Sequence, residues 1–291
     1  MKKILLFCAL LTLFNLALWG FAIARVNSPP YQPVPAGAEV EEAPVLAPAV
    51  AAVTATSDLE LPGPPRQTDE PASNTGLKRE GPPPLLALTF DDGPSKEFTP
   101  LLLEGLRERG VHVTFFMVGS RAEKAPDIVL QAYEDGHVIG GHSYDHRAYF
   151  TKLSTDALQT QVQKTEDIIC GITGEASPLL LRPPYGSIND AVAQKTGKAN
   201  ILWSIDPRDW EVRDAQNIYT NIMERATDGG VVILHDIYGP TVEGTLQAID
   251  ELLDEGWQFL TVPELYASYG IPLQAGAVYR SPQNYSLPEV E

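Results

Sequence analysis

The sequence predicts a parallel α/β architecture of about seven strands, enough to close a distorted (β/α) barrel, preceded by an apolar N-terminal helix and a disordered linker. Three observations predict it. Short apolar runs alternate with helical patterns from Leu85 to Gly270, acids, histidines and one arginine follow almost every run at its C-terminal end, and the composition changes abruptly at Val26 and again near Leu85.

Lys2 and Lys3 precede an apolar run from Ile4 to Ala24. As a helix at ~1.5 Å per residue it spans about 31 Å, the thickness of a hydrocarbon core. The run reads as a retained signal anchor. Its Ala22-Ile23-Ala24 ending also fits a cleaved signal peptide, and both readings carry residues beyond Arg25 out of the cytoplasm. Val26 to Pro84 is dominated by Pro, Ala, Val and Glu, with Pro-Pro at 29–30 and 64–65 and Pro-Pro-Pro at 82–84. No apolar period survives there, so ordering the segment has nothing to offset its entropy. It reads as a spacer reaching from about 45 Å as a coil to about 180 Å as polyproline II.

The strands are expected at Leu85–Phe90, His112–Met117, His137–Gly140, Leu179–Leu181, Ile201–Ile205, Val231–Leu234 and Gln258–Thr261. Helices are expected at Phe98–Arg109, Ala122–Asp135, Ser154–Cys170, Asn189–Thr196, Ala215–Thr227 and Val242–Glu255, with Ser154 as an N-cap and Gly110, Gly136, Gly229 and Gly256 at the stops. The Pro- and Tyr-dotted remainder from Ile271 to Glu291 reads as a loosely docked tail.

The chain has 291 residues and 44% hydrophobic content, ordinary for a globular protein. Its 38 acids against 21 Lys and Arg give a net charge of -17 and exclude a nucleic-acid backbone as partner. Membrane contact is expected through the N-terminal segment alone. Cys8 falls in the apolar run and leaves Cys170 as an unpaired, buried thiol, so no disulfide framework exists. G-x-S-x-G, phosphate-loop and dinucleotide strings are absent.

The polar residues after the strands define the chemistry. Asp91 and Asp92 follow the first strand, His142 the third, Arg182 the fourth, Asp206 and Asp209 the fifth, and His235 the sixth. In parallel barrels this rim is where active sites form. His142 and His146 are four apart and, on one helical turn, would face one ion; a third oxygen ligand makes a set with open positions, and Asp92 is the natural candidate. Asp91 would then point elsewhere and stay free as a base. His112 and His137 lie near strand starts on the opposite face and read as structural, while Trp203 and Trp257 read as barrel packing.

Together these residues resemble the polysaccharide deacetylase family, the NodB-homology group of carbohydrate esterase family 4. The resemblance covers roughly Leu85 to Gly270 and rests on five strings in order: Thr89-Phe-Asp-Asp-Gly-Pro94, His142-Ser-Tyr-Asp-His146, Arg182-Pro-Pro-Tyr-Gly186, Asp206-Pro-Arg-Asp-Trp210 and Ile233-Leu-His-Asp236. It implies a barrel of fewer than eight strands and a divalent ion on Asp92, His142 and His146, zinc first, with cobalt or nickel as alternatives. It implies Asp91 as general base, Arg182 as its partner, the Tyr185 backbone N–H as oxyanion donor, and His235 as general acid with Asp209 behind it. Trp210 and Ile233 would line the acetyl slot, and Ser143 would brace the metal loop. The implied reaction removes acetyl groups from N-acetylglucosamine of a cell-wall polysaccharide, with peptidoglycan first and chitin oligomers or acetylated xylan as alternatives. A glycan-binding domain without catalysis is the rival reading, and the five intact strings speak against it.

Overall fold

In a computed structural model, residues 81–285 are described apart from 148 and 176–179. The apolar run, nearly all of the spacer, Leu179 and the last six residues lie outside the described residues. Within them, no helix is long and apolar enough to cross a membrane.

The strands are β1 Leu85–Asp91, β2 Thr114–Met117, β3 Val138–Gly141, β4 Leu180–Leu181, β5 Ala199–Ile201, β6 Gly230–His235, β7 Gln258–Phe259 and β8 Val278–Tyr279. Every pairing is parallel. The order is β6-β1-β2-β3-β4-β5-β8, with β7 against the start of β1. A single parallel bridge, Ile205 to Val232, brings the chain beyond β5 against β6. The sheet is thus curled in the manner of a distorted (β/α) barrel, with strands followed by helices as the alternating pattern predicts.

Alternation along β1 separates two layers. Leu86, Leu88 and Phe90 pack outward into a cluster with Leu102, Leu103 and Leu106 of α1 (Thr99–Arg109). Ala87 packs inward with Phe116, Leu180, Ile201 and Val231. Thr89 and Asp91 follow Ala87 on that inner face, and both are buried. The buried Arg182 side chain fills the space beside them, with its guanidinium carbon 4.2 Å from the Phe116 ring centre.

Four expectations need correction. The helix expected at Ala122–Asp135 is two helices, α2 (Gly119–Ala122) and α3 (Pro126–Glu134). Proline disfavours helical backbone in the residue before it, and Ala125 lies outside the helical region at φ -144° and ψ 54°. The fifth strand ends at Ile201 rather than Ile205, which forms only the isolated bridge. Cys170, near the end of α4 (Thr155–Thr173), is half-buried rather than enclosed. The tail is integral up to Tyr285: Tyr279 of β8 is fully buried, its backbone accepts from Leu202 N at 2.7 Å, and its ring stands edge-on to Tyr266 at 5.1 Å. Tyr266 belongs to α9 (Val262–Ser268), which carries a Thr261–Glu264 capping box. The remaining helices are α5 (Asp190–Thr196), the short α6 (Asp209–Val212), α7 (Ala215–Arg225) and α8 (Gly239–Asp254), the last two packed on each other.

The α7–α8 contact depends on Gly244. A methyl group there would overlap the Ala215 carbonyl and lie 3.1 Å from Ile218 Cβ. Gly244→Ala should therefore lower unfolding stability by roughly 1–3 kcal/mol, the cost of overpacking, despite alanine's better helix propensity. Thermal denaturation checks this; an unchanged or raised midpoint would contradict the packing argument.

Candidate metal and catalytic site

The register of β1 sets the site. Asp91 pairs with His235 of β6 on one side and Phe116 of β2 on the other, so an acid and a histidine end adjacent strands on the same rung. At Asp92 the chain turns to φ 73°, which separates the directions of the two neighbouring carboxylates. Gly93 follows beneath the buried Asp236 carboxyl, where a methyl group on Gly93 would overlap both carboxylate oxygens. Thr99 Oγ1 donates to Asp236 Oδ2, and burial, eased by that hydrogen bond, pushes the Asp236 carboxyl up to about 7. Asp236 thus packs against the loop carrying Asp92, a contact its place in the Ile233–Asp236 string did not disclose.

His142 and His146 do not lie on a helical turn as expected. They sit in a loop after β3 in which Ser143 (φ 62°) and His146 (φ 54°) take left-handed backbone. The hydrogen bond from His146 N to Ser143 Oγ at 3.0 Å braces that loop. The His142 and His146 ring centres are 4.8 Å apart.

Asp92, His142 and His146 offer ligand atoms within 4.8 Å of one another. Asp92 Oδ1 stands 3.3 Å from His146 Nε2 and 3.6 Å from His142 Nε2, is buried, and has no hydrogen-bond partner. A buried carboxylate oxygen without a donor is costly unless a cation satisfies it. The ring of His142 is oriented for that purpose: its Nδ1 lies 2.7 Å from the Arg182 carbonyl, which fixes the proton there and leaves the Nε2 lone pair facing Asp92. Burial pushes this imidazole down to about 3, keeping it neutral as a metal ligand must be. The donor set fits a divalent cation with open positions.

Two acid–base devices flank these ligands. Asp91 is buried, and its Oδ1 accepts from Arg182 Nη1 at 2.7 Å. Every Arg182 nitrogen of the guanidinium is engaged: Nη1 also meets Thr89 Oγ1 at 2.7 Å, Nε the Ile201 carbonyl and Nη2 the Leu202 carbonyl, both at 3.0 Å. Burial raises the Asp91 pKa above the usual carboxylate range, against the lowering pull of Arg182. On the other side, Asp209 of α6 accepts from His235 Nδ1 at 2.9 Å, His235 N at 2.8 Å and Thr241 Oγ1 at 2.9 Å. Burial opposes protonation of His235, but the Asp209 hydrogen bond and charge, reinforced by Asp91 and Asp92, push the imidazole up to about 9. Its Nε2 remains as a proton donor at neutral pH.

These groups share a cavity of about 380 Å³ that also includes Tyr185, Trp203, Asp206, Trp210, Ile233 and Tyr238. Tyr185 sits in the turn Pro184–Gly186 at φ 60°, with its ring 4.7 Å from His146. Trp210 is exposed on the rim and Ile233 buried at the floor. The expectation that Trp203 is barrel packing needs correction, because it is half-buried and lines this cavity; Trp257 is a core residue as read. Tyr238 was not anticipated, though it lies only three residues after His235. His137 is buried and structural: its Nδ1 accepts from Val113 N at 3.2 Å and its ring meets His112 edge-on at 5.9 Å. A larger cavity of about 800 Å³ opens beside His137 and the strand starts at Val138 and Leu180, but none of Asp91, Asp92, His142, His146 and His235 lines it. Chemistry, not volume, selects the smaller one.

Fold and site together define a curled parallel α/β protein with a candidate two-histidine, one-carboxylate metal site between a buried carboxylate and a histidine–aspartate pair. Residues 78–202 match the polysaccharide deacetylase family. A peptidoglycan-N-acetylglucosamine deacetylase of Bacillus cereus is 37% identical over 189 residues, 62% of this chain and 87% of that protein. The peptidoglycan-N-acetylglucosamine deacetylase PgdA of Listeria monocytogenes is 40% identical over 194 residues, 67% of this chain and 41% of that protein. The structure of the peptidoglycan deacetylase PdaC from Bacillus subtilis superposes with a TM-score of 0.61 at 38% identity, covering 64% of this chain and 91% of that one. The chain belongs to the polysaccharide deacetylase family. It spans about two fifths of the length of PgdA, the longer of the two curated relatives.

Proposed function

We propose that this chain is a metal-dependent N-deacetylase acting on N-acetylglucosamine residues of peptidoglycan. The observation that carries the reading is the donorless Asp92 Oδ1 facing two histidine Nε2 atoms, with Asp91 and His235 on either side in one cavity. A divalent ion held by Asp92, His142 and His146, zinc in our reading, supplies Lewis-acid polarisation when bound. This chain's own residues do the rest. Asp91, oriented by Arg182, takes a proton from the attacking water as a C–O bond forms at the acetamide carbon. The backbone N–H of Tyr185 donates to the carbonyl oxygen as it gains charge. His235, held by Asp209, gives its Nε2 proton to the sugar nitrogen as the C–N bond breaks, so that acetate and a free amine leave. Trp210 and Ile233 enclose the acetyl methyl.

The peptidoglycan assignment is supported by the relatives from Listeria monocytogenes and Bacillus cereus, both peptidoglycan-N-acetylglucosamine deacetylases. The N-terminal apolar run and spacer fit an exported enzyme tethered at the membrane and working within a polymer mesh. Acetate release from peptidoglycan fragments, chitin oligomers and acetylxylan, each tried with chelated protein and after restoring zinc, cobalt or nickel, tests the reading. We expect turnover on peptidoglycan only after a divalent ion is restored. Full activity of the chelated, metal-free protein would overturn it.

A further inference from the structure

We propose that a cationic pocket beside the metal centre binds a carboxylate carried by the substrate polymer and so selects an acidic glycan over a neutral one. The inference rests on the peptidoglycan reading and specifies what that substrate must present.

The pocket, about 400 Å³, is formed by Pro94, Ser95, Lys96, Arg121, Lys124, Ala125 and Ile237. Its walls come from the segments after β1, β2 and β6, three consecutive strands in the sheet order, so it lies outside one arc of the rim that carries the metal centre. A direct contact joins the two sites. Arg121 Nη1 donates to the backbone carbonyl of Asp92 at 2.9 Å, and Pro94 and Ile237 are each two residues from Asp92 and His235.

The charge of this pocket runs against that of the whole chain. Acids outnumber Lys and Arg by 38 to 21, yet three cations and no acid line it. Lys96 and Lys124 are exposed, and among the described residues neither ammonium has a carboxylate within ion-pairing distance. The acids next to them in sequence do not serve: Glu123 accepts from Tyr144 OH at 3.1 Å, and neither it nor Glu97 lines the pocket. Two ammonium groups and a guanidinium around one concavity repel one another, and an anion relieves that repulsion. A carboxylate is the anion a peptidoglycan strand offers, from the stem peptide or, where the peptide is absent, from the lactyl group of muramic acid. Chitin oligomers and acetylxylan backbones carry none.

The test compares kcat/KM on soluble peptidoglycan fragments with kcat/KM on neutral chitohexaose, for the parent and for K96E/K124E. Arg121 is left in place because it holds the Asp92 loop. The ratio of the two substrates should fall roughly ten-fold in the variant, and the parent's ratio should fall on raising ionic strength from about 0.05 M to about 0.5 M. The uncharged K96Q/K124Q should give an intermediate ratio with parental metal content. Glycan strands stripped of stem peptides expose the lactyl carboxylate, which the peptide otherwise holds as an amide: retained selectivity there shows that the pocket accepts the lactyl carboxylate, and loss of it assigns the pocket to the peptide. A ratio within two-fold of the parent in both variants would overturn the pocket while leaving the peptidoglycan reading intact. Turnover of chitohexaose with none on any peptidoglycan fragment would overturn both.

Discussion

Asp91→Asn should lower kcat by about 10²–10⁴-fold, the contribution of a positioned general base, while the protein keeps its full complement of divalent metal. The geometry separates the two properties. Asp91 reaches toward Arg182, whereas the orphaned oxygen facing both histidines belongs to Asp92. The variant should also lose about 3 kcal/mol of stability, because a fully buried guanidinium would face a neutral amide where a carboxylate had been. Metal analysis, thermal unfolding and acetate release report these three quantities independently. A variant that releases acetate at the parental rate would remove Asp91 from the role of base; one that loses its metal would show that the division of labour between the adjacent acids is wrong.

How much of this arrangement was legible in the sequence follows from how local each signal is. Asp91 and Asp92 are adjacent, and His142 and His146 are four apart, so spacing alone brings them to one rim once β1 and β3 are placed. The same spacing misled on backbone, since two histidines four apart suggest a helical turn, and it is positive φ at Ser143 and His146 that aims the rings instead. Arg182 was read as a partner of Asp91, but its burial and its bonds to Thr89, Ile201 and Leu202 depend on two other strands, β1 and β5, and could not be read locally. Pro126 did carry a legible break, and the helical period around it concealed it. Tyr279 shows the opposite limit. A two-residue strand has no period to detect, and its one buried ring is fixed by contacts with Tyr266, Tyr285 and Pro272 that form only in the folded chain. Trp203, Tyr238 and Asp236 also reach the site through packing rather than pattern.

Asp209→Asn should cost kcat/KM about 10³–10⁴-fold and move the alkaline limb of its pH profile to lower pH. Asp209 is fully buried and accepts three hydrogen bonds, from His235 N, His235 Nδ1 and Thr241 Oγ1. An amide turns one acceptor into a donor, so it either opposes the Nδ1 proton or loses Thr241 and the His235 backbone. With the amide N–H facing Nδ1 the ring is held neutral with its proton on Nε2, and a neutral imidazole is too weak an acid to protonate the leaving nitrogen. The sign of the pH effect follows from His235 being needed in its protonated form. In the parent the acid is available below about 9 and is lost as pH rises through that value. Without the Asp209 charge and hydrogen bond, burial is the dominant influence left, and the imidazole falls to or below its ordinary 6.5. A bound divalent ion adds positive charge beside the ring and lowers both limbs together, so the difference between variant and parent is the quantity to measure. Rate profiles at saturating metal should show the variant's alkaline limb displaced downward by at least about two units. Superimposable limbs would mean that His235 is not the group whose protonation limits the reaction, and would return the role of acid to another residue of the cavity.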